Sequence, residues 1–368
     1  MKISLKVNRA AGALLALVAA AALGALLIFP FEENLLAAIP QHSPRAKAGG
    51  SSGAGPEQLA ALLSANAAEI SRMKASLAAG ESRPEWTRLR TAIDAAAHQR
   101  DAAWSGLYWH TNLPEALEAA KREGKPVLSL RLLGNLDEEL SCANSRFFRT
   151  VLYANAAVSD ELRRNWILHW ESVRPVPKVT IDFGDGRKLV RTITGNSLHY
   201  VLDADGRARD VIPGLWGPEE FLGRLRGEGA ALLGAAGGLD ANSRLLMRAK
   251  APRMDDAAFE RLVAAFERSI AADTARNAQM RLAILPWLRE ATPLAALPAL
   301  TDRIYRDAFL TPRSDPWLGL VASDAYSALE GDPTPVTSGP DALRAGALTA
   351  SKVIVEKPLL ARVAPAPR

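Results

Sequence analysis

A single cysteine is the residue of this chain whose chemistry is easiest to define. Cys142 is the only cysteine among 368 residues, and it lies where the pattern predicts that a helix begins. The partial positive charge of a helix N-terminus favours a thiolate, and Arg146 and Arg149 would lower its pKa further. A lone cysteine cannot pair within its own chain. Cys142 is therefore a small apolar packing residue, a reactive thiol, or a thiol bonded to another molecule.

The histidines of the same region form a weaker pattern. His110, His169 and His199 are accompanied neither by further cysteines nor by a tight carboxylate cluster, so we predict no metal site and no cofactor. His199 with Ser145 or Ser197 has the residue types of a hydrolytic pair, but the Gly-x-Ser-x-Gly turn that exposes a catalytic serine is missing.

Aspartates near residue 205 raise the question of a calcium loop. Asp203, Asp205 and Asp210 flank an Asp-Gly pair, which is a signal for a turn between two strands. Since the spacing lacks the acidic ligand that closes a calcium loop, the sequence predicts a hairpin turn here.

The N-terminus has the features of a membrane anchor. Lys2, Lys6 and Arg9 precede 22 uncharged, mostly apolar residues at positions 10–31. That length can cross a hydrocarbon core of about 30 Å. A cleaved signal peptide or a buried helix are the alternatives, although signal peptides have shorter apolar regions. The positive charges predict residues 1–9 in the cytoplasm and the bulk of the chain outside it, in the periplasm if the cell is Gram-negative.

Composition excludes one class of partner. The chain has 45 Lys and Arg against 40 Asp and Glu, and the basic residues are scattered rather than gathered into a stripe. We therefore expect no binding of nucleic acid.

The segments that follow the anchor differ in pattern. Residues 32–56 are rich in Gly and Ser toward their end and predict a flexible linker. Residues 57–103 contain two apolar stripes at helical spacing, the first from Leu59 to Leu77, and predict a helical hairpin. Heptad-like spacing in residues 59–77 would also suit a weak homodimer.

The middle of the chain predicts an α/β domain. Over residues 104–229 the patterns give a strand, helices, a second strand, a hairpin, two further strands and a closing helix. Residues 240–330 predict a C-terminal helical domain, and residues 331–368 predict a loosely ordered tail.

Two stretches of this domain resemble the extracytoplasmic thioredoxin-like proteins. Trp109 to Leu128 is similar to the helix, ending in Gly-Lys-Pro, that feeds their central strand, and Tyr200 to Leu225 is similar to their last strands and last helix. The resemblance implies a thioredoxin-like domain. It places Cys142 at the nucleophile position, Ser145 at the position of the resolving cysteine, and Ser197, by counting, at the position of the cis-proline.

The departures from that family set the functional expectation. Ser145 cannot form a disulfide, no proline is present near Ser197, and a hairpin replaces the helix expected before it. We therefore expect a membrane-tethered binding or scaffolding module for another envelope protein. The alternative is a thiol-disulfide exchange protein in which Cys142 acts as the lone nucleophile and an external thiol completes the reaction.

Overall fold

The structure, a computed structural model, describes the central part of the chain, residues 55–192, 195–227, 238–290 and 294–314. The described residues up to Phe309 form one unit, and residues 310–314 belong to a second unit that otherwise lies outside those ranges. The predicted anchor and tail lie outside the described residues, as do all but two residues of the linker. Among the helices that are described, none is long and apolar enough to cross a membrane.

Three helices form the first layer, α1 (Pro56–Ala65), α2 (Ala67–Ala78) and α3 (Pro84–Ala97). The predicted apolar stripes are buried at Leu59, Met73 and Trp86, which confirms helices with an inward face. The first stripe is nevertheless split into two helices at Asn66, whose side-chain amide donates to the carbonyl of Leu62 at 2.8 Å. Polar side chains that bond their own backbone commonly interrupt helices in this way.

The central sheet has four strands in the order β2-β1-β5-β6. They are β1 (Val127–Leu133), β2 (Ile167–Arg174), β5 (Ser197–Leu202) and β6 (Ala208–Pro213). β1 and β2 are parallel, whereas β5 is antiparallel to both β1 and β6. All seven residues of β1 are buried, as expected for a central strand covered on both faces.

Helices connect and flank these strands. They are α4 (Ala102–Ser105), α5 (Leu113–Glu123), α6 (Ala143–Phe147), α7 (Ala156–Asn165) and α8 (Pro218–Leu225), with a π-helical turn at Phe148–Leu152. The predicted cap of α5 is confirmed, because the Asn112 side chain accepts from the Glu115 amide at 3.2 Å. The α/β class predicted from the sequence is confirmed.

A two-stranded ribbon, β3 (Lys178–Asp182) and β4 (Lys188–Thr192), lies between β2 and β5 in the chain. Its strands pair with each other in a separate antiparallel sheet, and this confirms the predicted hairpin.

The C-terminal helices are α9 (Ala241–Lys250), α10 (Asp256–Glu290) and α11 (Leu297–Arg303), the last followed by a π-helical turn at Ile304–Ala308. α10 packs on β6, and α9 packs on α2. The guanidinium of Arg281 donates two hydrogen bonds to Asp210, at 2.8 and 2.7 Å. These described helices therefore belong to the same folding unit as the sheet.

Candidate functional site

Cys142 caps the helix that follows the central strand, as the sequence predicts. Its amide donates to the carbonyl of Leu133 at 3.3 Å, which ties it to the end of β1. Its sulfur accepts a hydrogen bond from the Ser145 amide at 3.4 Å, so the thiol acts as the N-cap of α6. Local sequence explains this arrangement, since a short polar side chain at this position satisfies an unpaired helix amide.

The thiol is nevertheless inaccessible. Cys142 has 0% of its surface exposed. Burial raises the pKa of the thiol, and the opposing contributions of the Ser145 and Leu133 backbone and of Arg146 are smaller. The expectation of a lowered pKa is wrong. The free energy lost when the thiolate is removed from water exceeds the stabilisation that the helix N-terminus and the nearby cation give it.

Ser145 occupies the third position after Cys142 and is fully buried as well. Its hydroxyl oxygen accepts a hydrogen bond from the Ser141 hydroxyl at 2.8 Å. The carbonyl of Ser141 in turn accepts from Arg146 at 2.6 Å and from the Thr192 hydroxyl at 3.2 Å. The two serines thus form part of a hydrogen-bonded loop rather than an exposed reactive pair.

Ser197 lies beside this motif, where counting along the sequence placed it. Its hydroxyl accepts from the Asn144 side chain at 2.9 Å, and both residues are buried. Two residues earlier, a Cβ atom at Gly195 would lie 3.0 Å from the amide nitrogen of Ala143. The backbone before β5 therefore packs closely on the start of α6. No cis peptide bond occurs in the described part of the chain.

Arg149, the second cation expected near the thiol, forms an ion pair elsewhere. Arg149 is 1% exposed and pairs with the carboxylate of Asp101 at 3.2 Å. It also donates to the carbonyl of Glu139 at 3.3 Å. Lys250, at the end of α9, lies 3.0 Å from the same Asp101 carboxylate.

These groups form an ion cluster, in which Asp94, Asp101 and Arg149 are buried and the other members are partly exposed. We define it as seven side chains from four parts of the chain: Arg90, Asp94, Arg100, Asp101, Glu139, Arg149 and Lys250. Burial alone would raise the pKa of the Asp101 carboxyl, but Lys250 and Arg149 hold it well below its usual value. Burial, and then the charge of Asp101, raises the pKa of Asp94 to about 6.

Sequence reasoning did not find the ion cluster. Four of its members lie within residues 90–101, but Glu139, Arg149 and Lys250 come from distant parts of the chain. Arg149 was assigned to the thiol because the two are close in sequence. No local pattern joins Asp101 to Lys250, so only the packing of α9 on the first layer brings them together.

Two of the three histidines are neighbours, and the third lies apart. His110 and His169 pair in an isolated parallel β-bridge. Ser129 pairs with both His169 and Tyr200, and successive strand residues point to opposite faces, so His199 lies on the other face of the sheet. His199 and the Tyr153 hydroxyl lie 2.6 Å apart, and the Ser129 hydroxyl lies 2.8 Å from His169. Burial lowers the pKa of both imidazoles to about 3. They are neutral structural groups in hydrogen-bonded pairs.

The aspartates near residue 205 form the predicted turn. The Asp203 carboxylate accepts from the amides of Asp205 and Arg207, at 3.1 and 2.9 Å. Asp210 instead pairs with Arg281 on α10. Two of the three carboxylates are thus engaged in different structural contacts, which leaves no shared ligand set.

Comparison with protein-family models, curated proteins and solved structures finds no match to this chain. The thiol is buried and protonated, the third position after it is a serine, and the backbone around both is closely packed. This arrangement suits a structural role, and it leaves no open position for a substrate at the sulfur.

Proposed function

We propose that this protein is a membrane-tethered, extracytoplasmic binding or scaffolding module built on a thioredoxin-like domain. The strand order β2-β1-β5-β6, with its one parallel pair, supports the scaffold that the resemblance implies. The position of Cys142 at the end of the first central strand supports it as well. The tether rests on the apolar run at residues 10–31.

The observation that carries the non-catalytic role is the burial of Cys142 with 0% exposure. A thiol reacts as its thiolate and must reach its partner along a defined line of attack. Burial removes access, and it also raises the pKa of Cys142. Both effects oppose disulfide exchange in the folded state.

The alternative, a monothiol exchange protein, has one observation in its favour. The Ser145 amide that donates to the Cys142 sulfur at 3.4 Å would stabilise a thiolate if the loop opened. In the closed state the Ser141 carbonyl accepts hydrogen bonds from Arg146 and from the Thr192 hydroxyl, which oppose opening. The two functions therefore differ in how fast the thiol becomes accessible.

Alkylation of the full chain tests the choice. Cys142 should react with iodoacetamide at least about a hundredfold more slowly than an exposed thiol, because reaction needs a local opening. The matched control is Glu81→Cys in a Cys142→Ser background, since Glu81 is exposed between α2 and α3. A denatured sample gives the upper limit of the rate. If Cys142 reacts as fast as this control, and its rate depends on pH with a pKa below about 8.5, the monothiol exchange protein is the correct function.

The homodimer through residues 59–77 stays a prediction. Leu59, Ile70 and Met73 of this segment are buried within the chain, against a cluster that includes Trp86 and Leu246. Sedimentation of the full chain, with and without the substitution Leu62→Glu at a partly buried position of the same segment, measures whether a dimer forms.

A further inference from the structure

The β3–β4 ribbon has one strand packed toward the body of the protein and one strand turned outward. Residues 189–192 of β4 are half-buried, whereas Lys178, Thr180, Ile181 and Asp182 of β3 are exposed. The base of β4 is fixed, because the Thr192 hydroxyl accepts from Arg146 at 2.6 Å. In the part of the chain that is described, no third strand pairs with this ribbon.

The register defines which backbone groups face outward. The Phe183 amide donates to the Arg187 carbonyl at 3.1 Å, so that pair is hydrogen-bonded across the ribbon. Hydrogen-bonded and non-hydrogen-bonded pairs alternate along antiparallel strands. Thr180, which pairs with Val190, therefore directs its N–H and C=O away from β4, along the outer edge of β3.

The ribbon also presents apolar side chains to solvent. Ile181 and Phe183 are 47% and 51% exposed, and they are two of the three large apolar side chains exposed in the described residues. Ile181 lies on β3, and Phe183 directly follows the last residue of that strand. The two are two residues apart in extended backbone, so they share a face. Isolated two-stranded ribbons are marginal in water, and a third strand would cover both the edge and this face.

The charge of the ribbon is positive. Residues 178–192 contain four basic and two acidic side chains, a net charge of +2. Both acids are already paired on the ribbon, Asp185 with Arg187 at 2.8 Å and Asp182 with Lys188 at 3.1 Å. Arg191 lies close enough to Arg146 to affect its pKa, so positive charge collects at the base of the ribbon.

We propose that the outer edge of β3 binds an extended acidic segment of a partner protein. The segment adds a third strand through the backbone of Thr180 and seats apolar side chains beside Ile181 and Phe183. Its carboxylates then lie on the opposite face, where the register places Lys178 and Lys188. This inference rests on the proposed binding function and names its surface. The bound segment would also lie near the loop that holds Cys142, because the Thr192 hydroxyl at the end of β4 donates a hydrogen bond to the carbonyl of Ser141 in that loop.

The test uses the full chain in zwitterionic lipid nanodiscs and a fluorescent peptide of about eight residues in which Glu and Val alternate, matching the side-chain period of a strand. We expect saturable binding by fluorescence anisotropy. Hydrogen exchange at Thr180 and Asp182 should slow when the peptide binds. A peptide with Lys in place of Glu, and one with the same residues in two blocks, should bind at least about tenfold more weakly.

Two proline variants show which edge of the ribbon, that of β3 or that of β4, binds the peptide. Thr180→Pro removes the outward N–H of β3 and should weaken binding at least about tenfold, since proline cannot donate to a ladder. Val190→Pro makes the same change on the opposite edge and should leave the affinity within about twofold. Ile181→Asp keeps the backbone and should also weaken binding. Circular dichroism confirms that each variant is folded.

Several outcomes would overturn the inference. They are absence of binding, equal affinity for Thr180→Pro and the unaltered chain, equal losses for the two proline variants, or protection of amides elsewhere. Slowed exchange at Thr180 in nanodiscs containing phosphatidylserine, without peptide, would assign the ribbon to the membrane and reject the peptide. The alkylation rate of Cys142 is measured separately, so a negative peptide result with an unreactive thiol rejects this surface and leaves the binding role standing.

Discussion

At the scale of single residues, environment rather than residue type decides the chemistry of Cys142. The thiol is at a helix start with two arginines close in sequence, which favours a reactive group. In the structure it is fully buried, and Arg149 is paired with Asp101. Cys142 is therefore a buried residue whose sulfur caps α6.

We predict that Cys142→Ala lowers the free energy of unfolding by about 1 kcal/mol, the typical cost of one small buried group. The substitution should leave partner binding unchanged. Urea unfolding followed by circular dichroism measures the cost. Loss of binding in a variant that remains folded would contradict the packing role.

His199 and Tyr153 should make the stability depend on pH. The folded-state pKa of His199 is about 3, below the 6.5 of an unperturbed histidine. The unfolded chain therefore binds more protons between these values, and stability falls as the pH is lowered through 6.5. This histidine contributes a slope of about 1.4 kcal/mol per pH unit in that window.

The double variant Tyr153→Phe with His199→Leu removes both partners of the hydrogen bond, which leaves no unpaired buried group. We expect its free energy of unfolding, measured in urea from pH 7 to pH 4, to fall less steeply than that of the unaltered chain. Parallel curves for the two proteins would show that His199 is not held neutral.

At the scale of elements, the ion cluster joins the first helical layer to the loop before Cys142 and to α9. Asp101 has no exposed side-chain surface and lies between Arg149 and Lys250. Removing one partner from a buried ion pair leaves an uncompensated charge, which costs several kcal/mol.

Asp101→Asn should therefore destabilise the protein by about 3 kcal/mol, although asparagine tolerates the positive φ at this position. The matched control is Asp160→Asn. Asp160 forms ion pairs with Arg163 and Arg164 on one exposed helix, and its loss should cost less than about 1 kcal/mol. Equal effects of the two substitutions in thermal unfolding would refute the importance of the cluster.

The docking of α10 on the segment after β6 depends on a glycine. Gly214 has φ +67°, and a Cβ atom there would lie 2.4 Å from the side-chain nitrogen of Asn277 on α10. That nitrogen donates to the carbonyl of Leu215 at 2.9 Å. The close approach and the left-handed backbone both require glycine at this position.

We expect Gly214→Ala to destabilise the protein by about 3 kcal/mol, from backbone strain and the displaced Asn277 together. Gly184→Ala is the control, since Gly184 has a similar φ of +75° with nothing within 4 Å of the added atom. It should cost only the strain, about 1 kcal/mol. The difference in urea midpoints reports the contact with α10.

At the scale of the whole molecule, the C-terminal helices complete the core around the sheet. The Tyr200 hydroxyl lies 3.1 Å from the Thr301 hydroxyl of α11, and the Tyr305 hydroxyl donates to the carbonyl of Asn196 at 2.9 Å. The resemblance leads one to expect a helix between β2 and β5, and here the chain has the β3–β4 ribbon instead. α11 therefore covers part of the sheet face on which Tyr200 lies.

Calorimetry of the full chain should show one cooperative transition for the sheet and the helices to Phe309, because they share one core. A chain that ends at residue 238 should fail to reach the same folded state, since β6 would lose the packing of α10 and Asp210 would lose its ion pair with Arg281. Two separate transitions would instead support an independent C-terminal helical domain.

Most elements could be placed in order and assigned a type from the amino-acid sequence. Periodicity, the Asn112 cap and the Asp203 turn depend on residues close together in the chain, and each is present as predicted. Ser197, which was assigned by counting along the chain, lies next to the Cys142 motif. Its match to the cis-proline position of the thioredoxin-like proteins stays a prediction.

The chemistry open to those residues depends instead on contacts between distant segments. The direction of the Cys142 pKa depends on how completely other segments exclude water, and Arg149 reaches Asp101 across 48 residues of sequence. The outward edge of β3 likewise depends on which strand of the ribbon faces the body. Local patterns fix backbone conformation, whereas burial and charge pairing arise from segments that meet only in the folded chain.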